Sequence, residues 1–123
     1  MSSTKTILIV EDNLDSREIY GEILRDENFT VIETEHGQEA LDYLETHSDN
    51  LPSLIIMDLT FPHMTAQEFV AGLNANETLK EIPVLVISGQ VDTKEISIQL
   101  KAKGFIRKPF DMDPFVETIK KLA

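Results

Sequence analysis

The chain has 123 residues, enough for a domain with its own buried core, and we expect residues 1–123 to form a single domain. Its formal net charge of −11 argues against direct binding to nucleic acids or anionic membranes and favours basic or cationic partners. No apolar run approaches the roughly 20 residues that a membrane span needs, and the polar N-terminus is not a signal peptide. Without cysteine the chain has no disulfides or thiolate sites, and we expect a cytoplasmic protein.

The first half of the chain predicts two strands and two helices. Thr6–Val10 reads as a buried strand, and Thr30–Thr34 as a shorter, more polar strand typical of a sheet edge. Asn13 is a plausible cap for the first helix. The predicted apolar stripe of that helix comprises Leu14, Ile19, Tyr20, Ile23 and Leu24, with Asp15, Arg17, Glu18, Glu22 and Arg25 facing water. Gly37 interrupts the pattern, and a second helix is predicted from Gln38 to about His47.

The second half begins with the apolar run Leu54–Met57, which is too short for a helix and lacks the alternation of a half-exposed strand. It therefore predicts a strand buried on both faces, and it ends abruptly in Asp58. The elements predicted after it are a helix starting at the capping box Thr65–Glu68, a strand Pro83–Ile87, a helix from Asp92 towards Gly104, a strand Phe105–Arg107, and a helix starting at Asp113-Pro114.

Alternation of strands and helices along the chain predicts a parallel sheet with right-handed crossovers. The first, third and fourth strands are continuously apolar, whereas the second and fifth are short or polar. Because interior strands are buried on both faces and edge strands are not, this contrast predicts the strand order 2-1-3-4-5. The expected fold class is α/β, a flavodoxin-like (βα)5 doubly wound sandwich.

Polar side chains follow four of the predicted strands: Glu11 and Asp12 the first, Asp58 the third, Ser88 the fourth and Lys108 the fifth. The carboxyl ends of these strands lie at one edge of the sheet, where ligands bind in such folds. Three carboxylates there repel one another unless a cation intervenes, and an all-oxygen ligand set suits Mg²⁺. A lysine and a serine can bind phosphoryl oxygens, so Asp58 is a candidate nucleophile that forms an acyl phosphate.

Each of these residues alone is compatible with an ordinary solvated turn, but together they carry a family resemblance. The motifs are Glu11-Asp12, the strand ending in Asp58-Leu59 with Pro62 four residues after Asp58, Ser88, and Lys108-Pro109-Phe110. With them, the chain from Thr6 to Leu122 resembles the receiver domain of two-component response regulators, in particular a chemotaxis-regulator-like single domain. The resemblance implies that Asp58 accepts a phosphoryl group from a histidine kinase or a histidine phosphotransfer protein.

The resemblance also implies a cofactor and a switch. Mg²⁺ would be bound by Glu11, Asp12, Asp58 and the backbone carbonyl of Thr60. Lys108, followed by a cis Lys108-Pro109 bond, would pair with the phosphoryl group. Ser88 and Phe105 would change conformation and alter the surface of the fourth helix, fifth strand and fifth helix, where a downstream protein target binds. Such a domain catalyses only its own phosphotransfer and dephosphorylation, so we do not expect an enzyme acting on an outside substrate.

Three departures from the family pattern qualify this interpretation. Thr65-Ala66 stands where Asp-Gly is frequent, Gly89 stands where alanine is common, and Phe105 cannot donate a hydrogen bond as tyrosine does. One alternative is a pseudo-receiver that binds proteins without control by phosphorylation. Another is a haloacid-dehalogenase-type phosphohydrolase, whose nucleophile usually ends the first strand as Asp-x-Asp, whereas here the third strand ends in Asp58-Leu59-Thr60.

Overall fold

The strands form one parallel five-stranded sheet. In the computed structural model, which describes residues 5–59 and 64–123, the strand order is β2-β1-β3-β4-β5. The strands are β1 Thr6–Val10, β2 Thr30–Thr34, β3 Leu54–Asp58, β4 Val84–Ser88 and β5 Gly104–Arg107. The predicted order and fold class are confirmed. The continuously apolar strands are the interior ones, because only they are covered on both faces and flanked on both edges.

Helices cover both faces of the sheet. They are α1 Leu14–Asp26, α2 Gly37–Thr46, α3 Ala66–Asn74, α4 Thr93–Leu100 and α5 Met112–Leu122, with a 3-10 helix at Leu79–Glu81 that was not predicted. Ile7 and Ile9 of β1 pack with α1 and α5, whereas Leu8 and Val10 pack with α2, α3 and α4. Within the described ranges, no helix is both long enough and apolar enough to cross a membrane.

Two helix starts agree closely with the sequence. The side chain of Asn13 accepts a hydrogen bond from the backbone N–H of Ser16 at 2.8 Å and caps α1. At α3, Thr65 Oγ1 accepts from the Glu68 N–H at 3.0 Å, and Glu68 Oε1 accepts from the Thr65 N–H at 2.8 Å. This is the predicted capping box, so the Thr65-Ala66 sequence does begin the helix.

The predicted buried stripe of α1 is wrong at two positions. Leu14 and Ile19 are both 54% exposed, while Tyr20 and Leu24 are buried. The helix turns about 100° per residue, so Ile19 lies about 200° around the axis from Gly21, which faces β2. Leu14 is the first residue of α1 and is not part of either core cluster.

Three other helix boundaries differ from the prediction. Helix α2 begins at Gly37, one residue before the predicted start at Gln38. A Cβ atom at Gly37 would lie 2.6 Å from Met64 Sδ. Helix α4 ends at Leu100 because Lys101 adopts a left-handed conformation with φ 60°, and Gly104 belongs to β5. Helix α5 begins at Met112 with Asp111 as its cap, not Asp113. Pro114 lies in the first turn of α5, where backbone N–H groups have no intrahelical partner, so its missing N–H is tolerated there and does not mark the start of the helix.

Candidate functional site

The carboxyl ends of β1, β3, β4 and β5 meet at one edge of the sheet. Backbone pairing places Asp58 opposite Ile87, so Ser88 lies one residue further along the neighbouring strand. The backbone N–H of Lys108 donates to the carbonyl oxygen of Ser88 at 2.8 Å, which ties the chain after β5 to the end of β4. The structure therefore brings the strand-end residues predicted from the sequence to the same place.

Lys108 connects two of the predicted carboxylates. Its Nζ atom donates to Asp58 Oδ2 at 2.7 Å and lies 3.5 Å from Glu11 Oε1. Both carboxylates are almost fully buried, with Glu11 2% and Asp58 9% exposed. The Lys108–Pro109 peptide bond is cis, as the resemblance implied. Buried carboxylates require a cationic partner, and this contact supplies it.

The electrostatics of the site are those of crowded carboxylates. Burial, and next the negative charge of Asp58, raise the pKa of Glu11 from 4.5 to about 7, although Asn13 and Lys108 act in the opposite direction. Burial by itself would lower the pKa of Lys108. Its hydrogen bond to Asp58 and the charges of Asp58 and Glu11 outweigh this and hold that pKa above its usual value. The site thus favours an additional positive charge near Glu11.

The donor atoms at this edge fit a hard divalent cation. They are carboxylate oxygens, with Glu11 and Asp58 buried side by side and Asp12 exposed to solvent directly after Glu11. In residues 5–59 and 64–123, no three acidic or histidine side chains are already assembled as a metal site. Such a partial set suits Mg²⁺, which usually keeps several waters and takes few protein ligands. The predicted fourth ligand, the carbonyl of Thr60, lies outside the described residues.

Ser88 and Phe105, predicted as the switch residues, differ sharply in their surroundings. Ser88 is 1% exposed, and its hydroxyl oxygen accepts a hydrogen bond from the Gln90 N–H at 3.0 Å. Phe105 on the edge strand β5 is 37% exposed, so its ring lies at the surface. At Gly89 a Cβ atom would make only an ordinary 3.8 Å contact with Lys108 Cβ. The space around this loop therefore does not require glycine.

Two residues near the site were assigned other roles from the sequence. Arg17 was predicted to face water, but its Nη1 donates to the backbone oxygen of Glu11 at 2.7 Å and its side chain is only 11% exposed. Tyr20 was predicted only as part of an apolar stripe. It also interacts with Lys108, and its ring lies 5.9 Å from that of Phe110 and 5.4 Å from that of Phe115. The helical pattern alone contains no signal for either contact.

Comparison with known proteins agrees with the fold. The family model described as the response regulator receiver domain matches residues 7–120. The polar-differentiation response regulator DivK of Brucella ovis is 32% identical over 120 residues, which is 95% of this chain and 94% of DivK.

Solved structures show the same fold. The chemotaxis protein CheY4 of Vibrio cholerae aligns with a TM-score of 0.87 and 24% identity, covering 98% of this chain and 100% of that one. The receiver domain of a sensor histidine kinase from Pseudomonas aeruginosa, described with a magnesium ion in its active site cleft, aligns with a TM-score of 0.85 and 21% identity. The alignment covers 98% of this chain and 98% of that domain. The family match over residues 7–120, the DivK relative and the strand-end site together lead to one conclusion: this chain belongs to the receiver domain family of two-component response regulators.

Proposed function

We propose that the chain is a phosphoacceptor switch in which Asp58 receives a phosphoryl group from a histidine kinase or a histidine phosphotransfer protein. The observation that carries the proposal is the 2.7 Å contact between Lys108 Nζ and Asp58 Oδ2 beside buried Glu11. Among the described carboxylates, Asp58 is the one that ends a central strand and contacts this lysine while facing the acidic pair.

The transfer needs a nucleophile and a means of neutralising charge. A carboxylate oxygen of Asp58 forms the new bond to phosphorus, the bond from phosphorus to the donor imidazole nitrogen breaks, and that nitrogen keeps the electron pair. Lys108 neutralises the carboxylate before transfer and can pair with a phosphoryl oxygen afterwards. Mg²⁺ held by Glu11, Asp12 and Asp58 would supply the remaining charge neutralisation.

The phosphorylated state must then be transmitted to the surface of α4, β5 and α5. Ser88 ends the strand next to that of Asp58, one residue after the partner of Asp58, and this proximity supports a role for its hydroxyl as a donor to a phosphoryl oxygen. Movement of Ser88 would vacate space beside β5, and the exposed ring of Phe105 could turn inward to fill it. Phe105→Ala should therefore remain phosphorylated while losing the phosphorylation-dependent change in binding to the downstream protein target.

The direct test is incubation with acetyl phosphate, with Mg²⁺ or with EDTA, read by intact mass. The chain should gain one phosphoryl group only with Mg²⁺, and hydroxylamine should remove it, as expected for an acyl phosphate. Asp58→Asn keeps the size of the side chain and should gain none. Labelling that persists in Asp58→Asn would refute the assignment. A parent protein that is never labelled would favour the pseudo-receiver alternative.

A further inference from the structure

Arg17 links three separate parts of the fold. Its Nη1 atom donates to the backbone oxygen of Glu11 at 2.7 Å, and its Nε atom lies 3.8 Å from Glu33 Oε1 on β2. The side chain itself belongs to α1 and is 11% exposed. A mostly buried guanidinium that contacts both a carbonyl and a carboxylate is held in one orientation, because its N–H donors are fixed in a plane.

The packing of α1 against β2 leaves room for this arrangement. Glu33 is also bound by Arg25, with Nη2 2.7 Å from Oε2. This pair crosses α1 at Gly21, where a Cβ atom would lie 2.9 Å from both Arg25 Nη1 and Glu33 Oε2. Glycine is disfavoured in the middle of a helix, so its presence here agrees with a need for the space that the ion pair occupies.

The carbonyl that Arg17 binds belongs to the peptide joining Glu11 to Asp12. On the other side of Glu11, the backbone N–H donates to Thr34 O at 3.1 Å. The Glu11 carboxylate also accepts from the Asn13 N–H at 3.2 Å. Arg17 therefore completes the set of bonds that orients both acidic residues after β1.

We propose that Arg17 is a positioning residue that holds the Glu11-Asp12 turn, through the Glu11 carbonyl, in the orientation needed for divalent cation binding. The cation part of this inference rests on the proposed function. Removing the positive charge of Arg17 would by itself increase the affinity for Mg²⁺, because one charge that repels the cation is lost. Loss of positioning would weaken binding. The two effects have opposite signs, so the affinity distinguishes them.

The test compares Arg17→Met with Arg25→Met. Both variants remove one positive charge and one partner of Glu33, but only the first removes the bond to the Glu11 carbonyl. Calorimetric titration with magnesium chloride should show affinity reduced about tenfold in Arg17→Met, equivalent to about 1.4 kcal/mol. Arg25→Met should stay within about twofold of the parent, and Arg17→Lys should fall between them, because lysine cannot bind two acceptors in the same fixed geometry.

A second readout uses no metal. Hydrogen exchange in EDTA should be faster at the Glu11 and Asn13 amides of Arg17→Met, relative to a β1 core amide such as Leu8, and unchanged in Arg25→Met. A general loss of stability would instead accelerate all three amides together. Equal Mg²⁺ affinity and equal exchange ratios in the two variants would overturn the inference. If the parent binds no Mg²⁺, the cation part of the proposed function fails, and the exchange ratios alone decide whether Arg17 holds the turn.

Discussion

Glu11→Gln should stabilise the metal-free protein at pH 8, although it removes a residue of the proposed site. Glu11 is 2% exposed, and its pKa is raised to about 7 by burial and by the charge of Asp58. Ionised Glu11 therefore costs free energy in the folded state despite its contacts with Lys108 and the Asn13 N–H. Tyr20 of α1, which interacts with Lys108, carries no positive charge that could offset this cost.

The magnitude follows from proton linkage. A rise in the pKa of Glu11 from 4.5 to about 7, at about 1.4 kcal/mol per pH unit, corresponds to a difference in unfolding free energy of at most about 3.5 kcal/mol between low and high pH. Because the pKa of Glu11 is higher in the folded protein, folding is favoured while Glu11 is protonated. This contribution to stability is fully present below pH 4.5 and is lost as the pH rises through about 7. Glutamine resembles the neutral acid but packs less well, so we expect a gain of about 1–3 kcal/mol at pH 8.

Urea unfolding in EDTA between pH 5 and pH 8, followed by far-ultraviolet circular dichroism, measures this effect. The difference in unfolding free energy between Glu11→Gln and the parent should increase across that range. Asp12→Asn makes the same change in charge at an exposed position and should differ from the parent by at most about 0.5 kcal/mol. A pH-independent difference, or a Glu11→Gln protein that is less stable than the parent at pH 8, would refute the reasoning.

The remaining predictions concern the cation, the switch and the fold. Asp12→Ala should slow Mg²⁺-dependent labelling more than Glu11→Ala, because Lys108 already partly neutralises Glu11; equal rates would contradict this. Ser88→Ala should still be phosphorylated but show smaller phosphorylation-dependent amide shifts in residues 92–110. Moving the switch from mostly inactive to mostly active takes roughly 5 kcal/mol of differential free energy, and one charge-assisted hydrogen bond supplies only roughly 1.5–3 kcal/mol. Amide shifts as large as the parent's would mean that the signal does not pass through Ser88. Thr65→Ala should lower the unfolding free energy by about 1 kcal/mol in urea, through loss of the capping box.

The strand-end residues lie close together, as expected from the sequence, because their proximity depends only on the direction and order of the strands. Once the strands are parallel and ordered, residues directly after them must lie at the same edge, however far apart they are in the chain. Lys108 and Asp58 are separated by 50 residues, yet their 2.7 Å contact follows from topology and from the need to neutralise a buried carboxylate. Neither the strand order nor the cis Lys108–Pro109 bond contradicts the sequence-based interpretation.

The sequence by itself determined the alternation of strands and helices, the interior and edge strands, and the caps at Asn13 and Thr65, because those features depend on local hydrogen bonding and apolar pattern. Only the tertiary structure decided how α1 is rotated against the sheet, since ridge and groove packing selects one side of a helix that has apolar residues around much of its surface. That rotation left Ile19 in solvent and turned Arg17 towards the carbonyl of Glu11. Long side chains reach across elements, so their partners depend on packing distances that no periodic pattern contains.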